Sequence, residues 1–152
     1  MKKEIIDGKI SRNKPGFAAG LKLYIKKQKE RPQTVLEEVF NSITHGIGTL
    51  AAVAGTIILL VFSIRLGRPA SIISGVAIYG SAMILLYLAS TLYHCLSFTK
   101  AKEVFKVFDH CAIFILIAGT YTPIAFRIGG IWGWVIFGIV WGLTVLGIVL
   151  ES

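Results

Sequence analysis

The chain has 152 residues, of which 55% are hydrophobic and only 16% charged, and its mean hydropathy is +0.73. Soluble domains carry about a quarter of their residues as charge, so an ordinary soluble fold is excluded. The formal charge of +8 is uneven, with ten of the sixteen Lys and Arg residues before Thr34; a basic tail on an apolar body lacks the interleaved aromatics and basic groove of a nucleic-acid binder, and no nucleic-acid partner is expected.

Residues 1–33 are polar and basic, interrupted by Pro15, Gly16 and Pro32. They read as a solvated cytoplasmic tail, with a short amphipathic stretch near Phe17–Ile25 whose Lys22, Lys26 and Lys27 suit anionic headgroups. No cleavable signal pattern stands out, so the first apolar run is expected to act as an uncleaved anchor.

Residues 34–152 are expected to form an all-α membrane bundle. Four apolar runs follow one another, roughly Ile43–Leu66, Ala70–Tyr93, Val107–Phe126 and Ile131–Leu150. At about 1.5 Å per residue each can cross the ~30 Å hydrocarbon core. Gly67-Arg68-Pro69 and Gly129-Gly130 make short connections, so sequence neighbours pack antiparallel. Basic residues set the orientation. The tail and the loop with Lys100, Lys102 and Lys106 outweigh Arg65, Arg68 and Arg127 on the other side, which puts the N-terminus inside. Cys95 and Cys111, the only cysteines, fall near that inner face and are expected as free thiols rather than a disulfide scaffold.

Small residues mark helix contacts: Ser71 and Gly75 in the second run, Gly138 and Gly142 in the fourth. Pro123 cannot donate to the Gly119 carbonyl, so a kink is expected there, with Thr120, Tyr121 and Thr122 as hydroxyl partners for the freed group.

The chemistry gathers at one end. Glu38, Asn41 and His45 share a helical stripe at the entry to the first run. Ser90 and His94, four apart, sit at the exit from the second, and Asp109 and His110 at the entry to the third. In an up-down-up bundle these places share one membrane face. Ionisable groups at membrane depth cost roughly 2.5–3.5 kcal/mol at a helix centre, so those kept there usually face the interior and pair. One reading is a metal or proton site built from His94, Asp109 and His45; the other is plain headgroup-level polarity. Imidazole suits zinc, but a catalytic zinc takes three protein ligands. The three histidines include no His-x-x-x-His pair. Asp109 and His110 are adjacent and point about 100° apart on a helix, and the same angle separates Cys95 from His94 and Cys111 from His110. These residues alone do not spell a complete zinc site.

The motifs Glu38-x-x-Asn41-x-x-x-His45, Ser90-x-x-x-His94 and Phe108-Asp109-His110, running on to Ala118-Gly119-Thr120-Tyr121-Thr122-Pro123, resemble the hemolysin III family, the bacterial branch of the progestin and adipoQ receptor (PAQR) superfamily. The resemblance covers about Thr34 to the C-terminus. It implies the first four helices of a seven-helix bundle in the plasma (inner) membrane of a bacterium, N-terminus inside. It further implies Zn2+, held by the histidine of the Ser-x-x-x-His motif and by two histidines of a His-x-x-x-His motif in the last helix, with serine and aspartate beside a zinc-bound water. Carried over, His94 is the metal ligand, Ser90 and Asp109 are the catalytic pair that orients water, and Glu38, Asn41, His45 and His110 support the site. The last-helix motif and three helices are absent from this sequence, so it is expected to be a truncated form that is inactive alone. The implied activity is metal-dependent hydrolysis of a lipid amide, with membrane lipid and a second copy of the chain as partners. The alternative is a non-catalytic cytolytic, pore-forming or membrane-homeostasis protein.

Overall fold

The computed structural model describes residues 5–6, 9–10 and 33–151. The chain divides into two units, Met1–Val35 and Leu36–Ser152. In the first, β1 (Ile5–Ile6) and β2 (Lys9–Ile10) pair antiparallel, with Ile5 opposite Ile10. The rest of the expected basic tail, including the amphipathic stretch 17–25, lies outside the described residues.

Among the described residues four long helices follow: α1 (Val35–Arg65), α2 (Ala70–Cys95), α3 (Ala101–Ile128) and α4 (Gly130–Glu151). All four are long and apolar enough to cross a membrane. The shortest, at 22 residues, spans about 33 Å at 1.5 Å per residue. α1 starts eight residues before the apolar run begins and α3 six before, because Glu and Lys are good helix formers and the helix continues beyond the greasy segment. Glu38 and Asn41 therefore stand inside α1.

The breaks between helices come from backbone chemistry. Gly67 turns the chain after α1 with φ +59°, and Pro69 precedes α2 with φ −55°. Between α3 and α4, Gly129 and Gly130 hold φ +65° and +55°, left-handed values that only glycine adopts freely. Helix α4 restarts without a loop.

Packing is antiparallel throughout, since contact partners rise in number along one helix as they fall along the next. On α1 and α2, Gly48 lies against the Tyr87 ring and Thr56 against Gly80. On α2 and α3, a Cβ at Gly75 would meet Pro123 Cα at 2.8 Å, and one at Gly119 would meet Ala82 Cβ at 2.8 Å. On α3 and α4, Gly147 accepts the Phe114 ring and Gly133 the Ala125 carbonyl. Among the described residues the buried apolar side chains are all alanines: Ala52, Ala82, Ala89, Ala112, Ala118 and Ala125. Leu, Ile, Val, Phe and Trp coat the outside, with Leu50 and Ile131 more than 70% exposed. This inversion is what a lipid solvent asks for. Hydrocarbon is as apolar as leucine, so helices associate through close backbone approach.

Two details differ from the sequence-based expectations. Gly138 and Gly142 have no atom within 4 Å of an added Cβ; Gly133 and Gly147 make the α4 contact instead. The hydroxyls near Pro123, which lies inside α3, also bond elsewhere than expected. Thr122 and Thr120 donate to the carbonyls of Ala118 and Leu116, each at 2.7 Å, rather than to Gly119. The reason is helical: a threonine hydroxyl reaches the carbonyl four residues back. Trp141 Nε1–H of α4 then donates to Thr122 Oγ1 at 3.1 Å.

Candidate functional site

The polar cluster forms where α1 begins, α2 ends and α3 begins. Its centre is Glu38, 2% exposed, a carboxylate in the first turn of α1. Buried carboxylates need partners for both oxygens, and Glu38 takes them from two other helices. His94 Nδ1–H of α2 donates to Oε2 at 2.8 Å, and Lys102 Nζ of α3 donates to Oε1. One side chain thus joins three helices.

A carboxylate paired to lysine only accepts, so the His94 hydrogen sits on Nδ1 and, in the neutral ring, the lone pair on Nε2. His94 is 7% exposed, and its Nε2 has no hydrogen bond among the described residues. Lys102 Nζ also lies 5.0 Å from the centroid of the Tyr93 ring, within cation–π range.

One to two turns deeper, His45 Nδ1 and Ser90 Oγ meet at 2.7 Å. His45 stands edge-on to His94 with ring centroids 5.7 Å apart, and edge-on to Tyr87 at 5.8 Å. Asn41 lies half-buried between Glu38 and His45, its carbonyl accepting the Thr44 hydroxyl at 3.1 Å. Its side chain has no hydrogen bond among the described residues.

The third helix is less complete. Asp109 follows Lys102 by seven residues and so shares its face of α3. The antiparallel register of α2 and α3 sets it roughly level with Ser90. It is half-buried, with no hydrogen bond or ion pair among the described residues. His110 belongs elsewhere: its Nδ1 pairs with Glu151 Oε1 of α4 at 2.5 Å. The structure therefore brings together Glu38, His45, Ser90 and His94, sets Asp109 at their level and assigns His110 to an α3–α4 contact.

Lys102 and Glu151 were not singled out by the sequence. Lys102 counted only toward the charge that sets orientation, and Glu151 ends the apolar run. Only the meeting of helices distinguishes them. Both cysteines are free, and Cys95 Sγ lies 2.9 Å from Ser42 Oγ. Among the described residues no group of three or more His, Cys, Asp and Glu side chains could hold a metal. A cavity of about 420 Å³ opens at the other end of the bundle, between Ser71, Ser74, Phe126 and Trp134, away from this cluster.

The fold and site define a multi-pass helical membrane protein with a buried ionic cluster joining three helices at one end. Residues 33–152 match the family described as Haemolysin-III related, and the chain belongs to that family. It is similar to the Hemolysin-3 homolog of Bacillus subtilis (strain 168), with 43% identity over 121 residues, 78% of this chain and 55% of that protein. Hemolysin-3 of Bacillus cereus is 40% identical over 120 residues, 78% of this chain and 54% of the relative. The chain thus spans about half the length of these curated relatives. No solved structure matches it.

Proposed function

We propose that this chain supplies one zinc ligand, His94, and a hydrolytic pair, Ser90 and Asp109, to a membrane-embedded lipid-amide hydrolase at the cytoplasmic end of the bundle. The observation that carries the reading is the Glu38–His94 hydrogen bond. A metal-bound histidine nearly always gives its other ring N–H to a carboxylate or carbonyl, and here the carboxylate takes Nδ1 and leaves Nε2 open.

The donor set fits one ligand with its orienting carboxylate, not a closed site. A catalytic zinc takes three protein ligands, so the others come from outside these residues, either from a segment corresponding to the part of the longer relatives that this chain does not span or from a second copy. Bound there, zinc supplies a water with a pKa near 7. The chain's own groups then have defined work. Glu38 orients His94, Ser90 Oγ holds a hydrogen-bonding position beside His45, and the Asp109 carboxylate accepts a proton at the same depth. The bundle lies in a bacterial plasma membrane with this end facing the cytoplasm, which makes a membrane lipid the accessible substrate.

The test is zinc content and hydrolysis of a fluorescent ceramide by protein purified from its own membrane. His94→Ala is expected to lower bound zinc at least tenfold and to abolish turnover in parallel. Turnover that survives removal of zinc overturns the reading.

A further inference from the structure

Three lysines follow α2, and they are not equivalent. Lys100 and Lys106 are exposed, whereas Lys102 is 18% exposed and held between the Glu38 carboxylate and the Tyr93 ring. Its partner is the most enclosed ionisable group described, at 2% exposure. Glu38 has two oxygens and two anchors, Lys102 on α3 and His94 on α2.

We propose that Lys102 is a positioning residue, which pins Glu38 from α3 so that Glu38 holds His94 with its hydrogen on Nδ1 and its lone pair on Nε2. With both oxygens engaged the carboxylate plane is fixed, and Oε2 stays on His94 Nδ1. Without Lys102 one oxygen loses its anchor, the side chain turns to find another donor, and the imidazole samples both tautomers. The nearby rings do not replace this restraint. His45 presents an edge to His94 and spends its own Nδ1 on Ser90, and Tyr93 packs against the ring at 4.8 Å without a hydrogen bond. The consequence for zinc rests on the function proposed above; the consequence for the tautomer does not.

The chain contributes three histidines, and under 15N-histidine labelling the ring signal that disappears in His94→Ala is assigned to His94. The spectra are read on zinc-free full-length protein well above the ordinary imidazole pKa of about 6.5. His94 of the unaltered protein is expected as the Nδ1–H tautomer. Lys102→Met is expected to show both tautomers and, by titration with zinc, an affinity about 10–100-fold lower. Lys102→Arg is expected to retain the single tautomer. The exchange Glu38→Lys with Lys102→Glu keeps the α1–α3 ion pair but removes the carboxylate from its place on α1. Its stability is expected to match the unaltered protein while His94 shows both tautomers.

A single Nδ1–H tautomer in Lys102→Met overturns the inference, as does recovery of that tautomer in the exchanged pair, which would make the cluster a packing device only. If Lys102→Met loses its helicity, the exchanged pair decides by the same spectrum. A locked His94 in protein that binds no zinc overturns the zinc reading alone.

Discussion

An ionised group at membrane depth persists only where other groups replace its water, and Glu38, His45, Ser90, His94 and Lys102 can each be followed to such a group. Glu38 takes one donor from each of two helices, and His45 and Ser90 take each other at 2.7 Å. Interhelical hydrogen bonds in membranes are worth about 0.6 kcal/mol on average and up to about 1.7. Ser90→Ala and His45→Ala are each expected to lower stability in detergent by about 1 kcal/mol. Because they remove the same bond, the double variant should fall short of their sum by about 0.5–1 kcal/mol. Thermal unfolding of all four proteins measures this coupling, and strict additivity would mean the bond contributes nothing. Asn41 and Asp109 lack such partners among the described residues.

Between helices, contact geometry separates glycines that look alike in sequence. Gly75 faces the backbone of Pro123 at 2.8 Å from an added Cβ, whereas Gly142 faces open space. Backbone cannot move aside as a flexible side chain does, so a larger residue at Gly75 has to push α2 and α3 apart. Gly75→Leu is expected to cost about 1–3 kcal/mol as an overpacked contact. Gly142→Leu, on a face already coated with Val and Leu, is expected to stay within about 0.5 kcal/mol. Unfolding of the two variants in the same detergent makes the comparison. Equal losses would mean that Gly142 also meets a neighbour in the membrane.

For the whole molecule, the prediction concerns orientation. Of the sixteen basic residues, ten precede Thr34, Lys100, Lys102 and Lys106 lie just before α3 or in its first turns, and Arg65, Arg68 and Arg127 lie at the other end of the bundle. Positive charge is retained on the cytoplasmic side. In a cysteine-free background, a cysteine at Lys106 is expected to react with a membrane-impermeant reagent only from the cytoplasmic side, and one at Arg68 only from the opposite side. The reversed pattern would turn the bundle over and carry the Glu38–His94–Lys102 cluster to the outer face.

Four spans, their order and the end that collects the polar residues were legible in the sequence, because the length and apolarity of a membrane helix are local properties that a bilayer enforces on every segment alone. The family was legible for a related reason: Glu38, Asn41, His45, Ser90 and His94 repeat at spacings that place each set on one helical stripe. What tertiary structure decided was who meets whom. His110 looks like a member of the cluster by position, yet a residue's azimuth on α3 sends it to Glu151, while Lys102, seven residues before Asp109, reaches Glu38. Gly138 and Gly142 form a better small-residue motif than Gly133 and Gly147, yet the latter touch α3. Sequence periodicity states which residues share a face; the rotation of a helix about its axis, set by packing against its neighbours, decides which face turns inward.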